Sequence, residues 1–363
     1  MRIAQVAPLF ESVPPKLYGG TERVVSHLTD ELVLQGHDVT LFASGDSVTK
    51  ATLRPVCDGA LRLQGKKIID PIAHHIRMVE MVARQADQFD VVHFHIDYLH
   101  FPVTRRQKLT AVTTLHGRLD IADLDPLFRE FREMNLVSIS DAQRTPLSWA
   151  NWVGTVYHGL PQQLYRLGTG NGRYLAFLGR ISPEKRVDRA IAIATRAGIP
   201  LRIAAKVDAA DTEYFNTHIR GLLNDPLVEY IGEIEEREKS AFLGNARALL
   251  FPIDWPEPFG LAMIEAMACG TPVVAYGMGS VPEVIDDGVT GFIVNGLDEA
   301  VNAVKRVDSL DRAVCRRVFE RRFSVSRMAR DYVRVYERLR ERASSRSATL
   351  TARARPHLYA NAG

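Results

Sequence analysis

Two glutamates, Glu257 and Glu265, stand on either side of the seven-residue run Pro-Phe-Gly-Leu-Ala-Met-Ile. The run follows the apolar stretch 248–252. An apolar stretch, a turn rich in Pro and Gly, and then a helix is the pattern of a βα unit in a parallel sheet. Because α/β proteins bind ligands where such strands end and helices begin, the two carboxylates are candidate ligand-binding groups.

The residues between the two glutamates predict a helix N-terminus. Pro258 suits the first turn of a helix that the pattern predicts over 259–268. The first N–H groups of that helix, at Phe259, Gly260 and Leu261, would have no partner within it and would attract an anion such as a diphosphate. At 1.5 Å per residue, the second glutamate lies roughly 10–12 Å along the helix. That separation suits two carboxylates that bind hydroxyls at opposite ends of one anionic ligand.

Two cations and two glycines follow other predicted strands, at the same kind of strand end as Glu257. Arg180 and Lys185 follow a predicted strand and open a helix, where a leaving diphosphate needs positive charge. Arginine binds phosphate in a bidentate manner, whereas lysine acts as a point charge. Gly19 and Gly20 follow the first strand and allow close approach of the backbone to a ligand. They form neither a Gly-x-Gly-x-x-Gly fingerprint nor a P-loop.

Histidines mark two further strand ends in the first half. His116 ends an apolar strand, where its imidazole can donate to a sugar hydroxyl or a phosphate. His93, His95 and Asp97 share one strand face by period-two alternation. Their spacing is that of a metallo-hydrolase motif, but Tyr98 stands at the next ligand position, so we expect no metal. Two alternatives remain for these three residues: a buried, hydrogen-bonded strand end, and a cluster that faces a ligand.

Alternating strand-like and helix-like segments must position these residues. A first alternation ends near residue 165, and a second begins with a strand at 174–178. Such alternation predicts an α/β protein with two doubly wound, Rossmann-like domains. The predicted strands are 3–7, 38–43, 91–95, 111–115, 137–140, 153–157, 174–178, 201–205, 228–231, 248–252 and 273–276; the predicted helices of the second half are 183–197, 212–223, 237–246 and 259–268.

Composition and charge narrow the class of protein. The 363 residues are 46% hydrophobic and 25% charged, which is typical of globular domains. Three widely spaced cysteines predict a reducing compartment, and no apolar run approaches the length of a membrane span. Residues 321–363 contain eleven arginines and three acidic residues and carry +8. We therefore expect a cytoplasmic protein whose basic C-terminal segment allows peripheral contact with the inner face of the membrane.

The combined motifs resemble one enzyme family, the retaining family 4 glycosyltransferases. Glu-x7-Glu carries Pro-Phe-Gly-Leu after the first glutamate and Glu-Ala-Met-Ala-Cys-Gly-Thr-Pro-Val-Val at the second, and residues 179–185 match the pattern Gly-Arg-x4-Lys. The resemblance implies the GT-B fold, in which two Rossmann-like domains face a cleft. It implies an acceptor-side domain at 1–165, a nucleotide-sugar domain at 166–320 and a helix at 321–342 that crosses back to the first domain. A disordered tail is expected at 343–363.

The same resemblance implies the function and the site. A hexose would pass from a UDP- or GDP-sugar to a hydroxyl acceptor with retention of anomeric configuration. Glu257 would hold the sugar hydroxyls, Glu265 the ribose, and His116 would orient the sugar, while Arg180 and Lys185 would contact the β-phosphate. The other donor-binding groups would be backbone N–H groups, those of Gly19, Gly20, Phe259, Gly260 and Leu261. His93, His95 and Asp97 would lie on the acceptor side.

Several alternatives and expected absences accompany this interpretation. A nucleotide-sugar 2-epimerase on the same scaffold and a non-catalytic nucleotide-sugar-binding protein remain alternatives. We expect no cofactor beyond the nucleotide-sugar, no required metal and no nucleic-acid partner. The acceptor is left open between a saccharide, a lipid and a small molecule. The turn at 156–161 departs from the family pattern, because His158 stands where the family more often has Asn.

Overall fold

The N-terminal half is built on one fully parallel sheet. The computed structural model describes residues 1–16 and 19–353. Seven strands lie in the order β3-β2-β1-β4-β5-β6-β7, so the strand order reverses between β1 and β4. Such a reversal opens a crevice at the carboxyl ends of the strands. The strands are β1 (Arg2–Val6), β2 (Asp38–Ala43), β3 (Thr52–Pro55), β4 (Val91–Phe94), β5 (Ala111–Thr114), β6 (Leu136–Ser138) and β7 (Trp152–Thr155).

Five helices belong to this sheet, and the first begins at the glycine pair. Gly19 is the N-cap residue and the helix starts at Gly20. A Cβ atom at position 19 would lie 2.7 Å from the Pro15 Cβ, so only glycine allows this close approach. The helices are α1 (Gly20–Leu34), α2 (Pro71–Arg84), α3 (Phe101–Gln107), α4 (Leu124–Glu130) and α5 (Asp141–Arg144).

The second half repeats the architecture with six parallel strands. Their order, β10-β9-β8-β11-β12-β13, reverses between β8 and β11. Both faces of this sheet are covered by apolar clusters, as a parallel sheet requires. The prediction of two doubly wound α/β domains is confirmed. The strands are β8 (Leu175–Arg180), β9 (Leu201–Lys206), β10 (Val228–Gly232), β11 (Ala248–Phe251), β12 (Val273–Tyr276) and β13 (Gly291–Val294).

The helices of the second sheet depart from the prediction in three places. The predicted helix at 183–197 begins only at Val187, because residues 183–185 form a 3₁₀ turn and Arg186 has a φ of +53°. Instead of one helix at 212–223, the chain forms three short pieces, a turn of α-helix, a π-helical segment at 215–219 and a 3₁₀ turn at 222–224. The predicted helix at 259–268 begins only at Leu261. The helices are α6 (Val187–Ala197), α7 (Thr212–Tyr214), α8 (Glu236–Asn245), α9 (Leu261–Ala268), α10 (Val281–Val284) and α11 (Leu297–Arg306).

Two further helices, α12 (Arg312–Arg322) and α13 (Val325–Arg353), end the described chain. Helix α13 packs against α1 and β4 of the first half, and its Tyr332 and Tyr336 are fully buried there. It extends past residue 342, where the sequence predicted its end. Residues 354–363 of the expected disordered tail lie outside the described residues. The division into domains at 165 and 320 stays a prediction.

The sequence also left two edge strands unassigned. β3 lies at one edge of the first sheet and β13 at one edge of the second. β3 reads Thr-Leu-Arg-Pro and is largely exposed, and β13 has only four residues. β3 lacks the apolar run that marked the central strands, whereas β13 (Gly-Phe-Ile-Val) has an apolar run as long as that of β12 and was overlooked. An edge strand pairs on one side only, and its sequence is correspondingly less constrained.

Candidate active site

Two adjoining cavities lie where the strand ends of the two sheets face each other. The first, which we call the donor cavity because most of the predicted donor-site residues line it, has a volume of about 240 Å³. It reaches the ends of β8, β9, β10 and β11 and the start of α9. The second, the acceptor-side cavity, has a volume of about 370 Å³ and is lined by residues of the N-terminal half alone. Both cavities are bordered by the same four residues, Gly19, Gly20, Thr21 and His116.

Most of the predicted donor-site residues line the donor cavity. They are Gly19, Gly20, His116, Lys185, Glu257, Phe259, Gly260, Leu261 and Glu265. The structure therefore brings together groups that are separated by up to about 250 positions in the chain. Their roles toward a ligand stay predictions.

Glu257 is held by two side chains from its own half of the protein. The Lys185 ammonium contacts its Oε2 atom, and the Trp255 indole N–H donates to the same oxygen at 2.9 Å. The ammonium also lies 4.9 Å from the centre of the Trp255 ring. Glu257 is 8% exposed, so this charge is largely desolvated and depends on its partner.

A glycine supports the loop that carries this carboxylate. Gly279 has a φ of +56°, and a Cβ atom there would lie 2.3 Å from the Glu257 backbone nitrogen. The next residue, Ser280, donates its backbone N–H to the Glu257 carbonyl at 3.0 Å. Glu283 does not touch the cavity; its carboxylate accepts the N–H groups of Asp141 and Ala142 at the start of α5, both at 2.7 Å. Glu283 therefore bridges the segment after Ser280 to the N-terminal half.

Glu265 lies in a buried network of charges that the sequence did not predict. Its Oε1 atom accepts from Lys239 at 2.8 Å, from Arg23 at 3.1 Å and from the Tyr165 hydroxyl at 3.2 Å. Glu236 completes the network, with Arg23 and Lys239 each 3.0 Å from its Oε2 atom. Arg23 belongs to α1, so this network joins the two halves of the protein.

Arg180 is placed differently from the prediction. Its guanidinium contacts Glu184 and lies 3.6 Å from Asp208 and 3.4 Å from Asp211. Arg180 is not among the residues that line either cavity, although its neighbour Gly179 is. The side chain leaves the strand end on the side of these carboxylates, which attract it electrostatically.

The start of α9 also corrects the sequence analysis. Gly260 is the N-cap residue with φ +81°, so the first helical N–H groups belong to Leu261 and the two residues after it, not to Phe259. Phe259 is 2% exposed, and its ring packs against the His158 ring at 4.8 Å between centroids. Pro258 precedes the helix and accepts a hydrogen bond from the Ser140 hydroxyl at 2.6 Å on its carbonyl oxygen.

The N-terminal wall of the cleft is built from neutral imidazoles. His95 and His116 are joined by a hydrogen bond of 2.9 Å, and the His116 ring stacks on that of His158 at 5.3 Å. Burial lowers the pKa of His116 to about 3 and holds the pKa values of His95 and His158 well below their usual range. All three rings are therefore uncharged at neutral pH.

The three predicted acceptor-side residues separate into two environments. His95 and Asp97 line the acceptor-side cavity, whereas His93 is fully buried between Thr114 and Tyr336. His93 thus matches the alternative of a buried, hydrogen-bonded strand end. Asp97 has a φ of 51°, and removal of water by the surrounding protein raises the pKa of its carboxyl to about 6. In the described part of the chain, no group of three or more His, Cys, Asp or Glu side chains could hold a metal ion.

The donor cavity also contains four charged residues and one imidazole that the motifs did not assign to the donor site. Lys239 and Arg23 occur on helices with no local motif, and Glu233 follows a short strand. Lys206 ends β9, a signal that strand-end reasoning could have used, and His158 was noted only as a departure from the family pattern. The five residues are Arg23, Lys206, Glu233, Lys239 and His158. With Lys185, Glu257 and Glu265, they give the cavity four cations and three carboxylates among the described residues.

Two parallel, doubly wound sheets with a ligand-sized cavity between their strand ends form the GT-B fold. Two family models match the chain: Glycosyltransferase Family 4 over residues 18–197 and Glycosyl transferases group 1 over residues 167–312. Together they span both halves and the cleft. The chain belongs to this family of glycosyltransferases, as its motifs indicated.

Individual relatives show how far the likeness extends. A glycogen synthase of Mycobacterium tuberculosis is 27% identical over 352 residues, which cover 80% of this chain and 83% of that protein. An uncharacterized 41.2 kDa protein in the cps region of Klebsiella pneumoniae is 36% identical, but the match covers 30% of this chain and only 32% of that protein. The family is therefore clear, while no relative fixes the substrates.

Solved structures share the fold over nearly the whole chain. AviGT4, a glycosyltransferase involved in avilamycin A biosynthesis, is 26% identical with a TM-score of 0.69 and covers 94% of this chain and 98% of its own. The Anabaena protein Alr3699/HepE, solved in complex with UDP and glucose, is 17% identical with a TM-score of 0.71 and covers 93% and 99%. Among the helices that the structure describes, none has both the length and the apolar character to cross a bilayer.

Proposed function

We propose that this glycosyltransferase moves a hexose from a nucleoside diphosphate sugar to a hydroxyl acceptor with retention of anomeric configuration. The observation that carries the proposal is the composition of the donor cavity. Lys185 and Glu257 stand together near the start of α9, while Arg23, Lys206 and Lys239 supply further positive charge. A sugar needs carboxylate and amide partners for its hydroxyls, and a diphosphate needs cations and free N–H groups.

The proposed arrangement places the ligand along α9. The diphosphate would lie at the N-terminus of α9 beside Lys185, where the helix dipole favours negative charge. The hexose hydroxyls would bind Glu257, and the ribose would reach Glu265 one turn into the helix. Binding of UDP by a protein of the same fold supports a nucleotide in this cleft. The nature of the base, uracil or guanine, is left to experiment.

Retention follows most simply from attack on the side of the leaving group. The acceptor oxygen would form a bond to the anomeric carbon as the bond to the β-phosphate oxygen breaks, and the acceptor proton would pass to that phosphate. The acceptor-side cavity meets the donor cavity at Gly19, Gly20 and Thr21, on the side proposed for the diphosphate. Glu257 is already paired with Lys185 and hydrogen-bonded by Trp255, an arrangement that suits binding better than nucleophilic attack.

The protein would then act through position and charge. We propose that Lys185, Lys206 and the cations near Glu265 neutralise the diphosphate and that transfer requires no metal ion. Transfer that persists in the presence of EDTA would support this part of the proposal. The acceptor, a saccharide, a lipid or a small molecule, would enter the acceptor-side cavity. Contact of the basic C-terminal segment with anionic lipid stays a prediction.

A donor panel tests the proposal directly. UDP-, GDP-, ADP- and dTDP-sugars are titrated by calorimetry into the wild-type protein, into Glu265→Ala and into Glu80→Ala, a matched control in an exposed surface ion pair on α2. We expect one nucleotide class to bind and Glu265→Ala to weaken it about tenfold, since a hydrogen bond to a charged group contributes about 1.5 kcal/mol.

Three outcomes would contradict the proposal or change its class. No binding by any donor to demonstrably folded protein would remove the nucleotide-sugar assignment. Binding without release of nucleoside diphosphate, with every acceptor class offered, would favour the non-catalytic alternative. Conversion of the donor to its 2-epimer would identify the epimerase.

A further inference from the structure

The acceptor-side cavity differs from the donor cavity in its balance of charge. The charged side chains that line it, among the residues that the structure describes, are Arg62, Glu22 and Asp97. Arg62 is already paired, because its guanidinium lies 3.0 Å from the carboxylate of Glu11, which is itself 7% exposed. In the described part of this cavity, Glu22 and Asp97 therefore have no cation of their own. The donor cavity, in contrast, holds four cations against three carboxylates.

Asp97 is the carboxylate that a ligand can reach. It follows the end of β4, its side chain is exposed, and no described residue forms a hydrogen bond or an ion pair with its carboxylate. The protein around it still removes enough water to raise the pKa of the carboxyl to about 6, so the group is ionised at neutral pH and above. A partly dehydrated carboxylate without a partner favours a ligand that donates hydrogen bonds.

The second carboxylate, Glu22, lies deeper in the cavity wall. It is 6% exposed, and burial raises the pKa of its carboxyl. It lies at the start of α1, directly after Gly20 and Thr21, which border both cavities. An acceptor bound here would thus lie next to the proposed diphosphate, and a negative charge on that acceptor would be repelled from both sides.

The remaining polar side chains of the cavity include neutral rings. His75 Nδ1–H donates to the Pro71 carbonyl at 2.8 Å, and its Nε2 atom accepts the Leu9 N–H at 3.2 Å. A ring with one donating and one accepting nitrogen carries no charge. His95 is neutral because burial holds its pKa well below the usual range. Phe10, which is 37% exposed, adds an apolar face to the same cavity.

We propose that the acceptor presents an uncharged sugar to this cavity, with a hydroxyl that donates to Asp97, and that the two unpaired carboxylates exclude acceptors with a phosphate or carboxylate at this position. A sugar hydroxyl supplies the proton that the Asp97 carboxylate can accept, whereas a fully ionised phosphate has none. Like charges brought together in a partly dehydrated cavity repel each other strongly. The volume of about 370 Å³ lies within the range of small-molecule sites. The inference rests on the proposed function, because it chooses among the acceptor classes which that function leaves open.

Matched acceptors test the exclusion of charge. The wild-type protein receives the donor identified by calorimetry and is offered glucose, mannose and galactose, each beside its 6-phosphate, its uronic acid and its uronamide. The uronamide has nearly the shape of the uronic acid but no charge. We expect at least one neutral sugar to accept the hexose, with kcat/KM about 100-fold higher than that of its charged counterparts. Mass spectrometry of the products measures transfer.

Asp97→Asn isolates the charge from the shape of the site. Asp97 has a φ of +51°, in the left-handed region that asparagine tolerates nearly as well as aspartate, and asparagine keeps one accepting oxygen. Removal of the charge should raise kcat/KM for the uronic acid relative to its uronamide about tenfold. A merely structural role of Asp97 would change both acceptors alike.

Asp87→Asn is the matched control. Asp87 is an exposed aspartate in the turn before β4, at the opposite end of the strand that Asp97 follows. The substitution changes the net charge by the same amount, but it does so away from the cavity. It should leave the preference for uncharged acceptors unchanged.

The inference and the proposed function fail in different ways. Preference of the wild-type protein for charged acceptors, or equal behaviour of the two asparagine variants, would overturn the inference while donor binding stays intact. The same holds if no neutral sugar accepts the hexose or, in saturation-transfer NMR, binds the protein loaded with nucleoside diphosphate. Failure of every donor to bind the wild-type protein would instead remove the proposed function.

Discussion

The two walls of the cleft differ in how they handle buried polar groups. The C-terminal wall uses charges in pairs, with Lys185 on Glu257 and Lys239 on Glu265. The N-terminal wall uses neutral rings, His95, His116 and His158. A wall of paired charges suits an anionic diphosphate, whereas a wall of neutral imidazoles suits hydroxyls. Under the proposed function, the C-terminal wall would bind the diphosphate through its cations and sugar hydroxyls through Glu257 and Glu265, whereas the N-terminal wall would contact hydroxyls alone.

The physical cause of the difference is the presence or absence of opposite charge. The imidazoles lie at strand ends among apolar residues and one another, so burial favours the uncharged form. The carboxylates of the other wall have cations within hydrogen-bond distance, which compensates for the water that they lose. Arg23 is the exception, because it extends from α1 to Glu265 on the opposite wall.

Removal of Glu257 should have the largest effect. In Glu257→Ala the sugar loses its carboxylate partner and Lys185 loses its counter-ion, so we expect transfer to fall about a thousandfold, or about 4 kcal/mol. His116→Asn, which removes a neutral partner, should cost only about tenfold. Steady-state transfer rates with the donor found in the panel measure both. Transfer by Glu257→Ala near the wild-type rate, or a larger loss in His116→Asn, would contradict the larger contribution of the charged wall.

The Glu265 network should dominate stability on the same wall. We expect Glu265→Ala to lower the free energy of unfolding by about 3 kcal/mol, because Lys239 and Arg23 are then left to share one carboxylate, Glu236, in a buried network. Lys239→Met combined with Glu265→Ala should restore much of that loss, since a buried pair replaced by apolar groups is often neutral. Urea unfolding of the wild type and of each variant measures these energies. A double variant that is less stable than Glu265→Ala would argue against coupling.

Lys185 and Arg180 distinguish the prediction made from the sequence from the arrangement seen in the structure. The sequence assigned both to the diphosphate, but only Lys185 lines the donor cavity. We expect Lys185→Met to reduce kcat/KM about 100-fold and Arg180→Met about tenfold or less. An equal loss in the two variants would show that Arg180 leaves its carboxylate partners and turns toward the diphosphate when the donor binds.

Acid should weaken the N-terminal wall first. Each buried histidine has a folded pKa below its unfolded value of about 6.5, so the unfolded chain binds more protons as the pH falls. The stability that these groups contribute is complete above pH 6.5 and is lost between that pH and about 3, the pKa of His116. The same value holds for His100, a buried histidine outside the cavities that bonds the hydroxyls of Thr104 and Thr113. Each such histidine contributes up to about 1.4 kcal/mol per pH unit.

Urea midpoints between pH 7.5 and 5 measure this loss. His100→Gln should reduce the dependence on pH by about one proton. A midpoint that does not change with pH over this range would contradict the assignment of neutral imidazoles.

Local patterns in the sequence predicted most of the fold. The central strands, such as β2 and β12, were found with correct bounds because long apolar runs mark strands that are buried on both faces. Strand β3 was missed because it lacks such a run, whereas β13 was missed although its four residues are apolar. Helix α9 was expected two residues too early, since Pro258 was read as part of the helix while Gly260 forms its cap.

Prediction of the candidate site also succeeded where the signal was local and failed where it was not. Residues within one motif, such as Glu257, Lys185 and the Gly19–Gly20 pair, were found because strand ends and helix starts face the cleft in any doubly wound sheet. Partners that come from different motifs were not found. Arg23 and Lys239 are 242 and 26 positions from Glu265, and no local pattern indicates that they meet it.

The sequence by itself determined the architecture, the family and the position of the binding crevice, because periodicity and turn residues act over a few neighbouring residues. Only the tertiary structure decided which charges face the cavity and which distant side chains are linked to the imidazoles of the cleft. Arg180 turns to three carboxylates, while Tyr336 of the last helix is linked to His116 through Gln5 and His95. Burial and hydrogen-bond direction depend on what packs from distant parts of the chain, so no single segment encodes them.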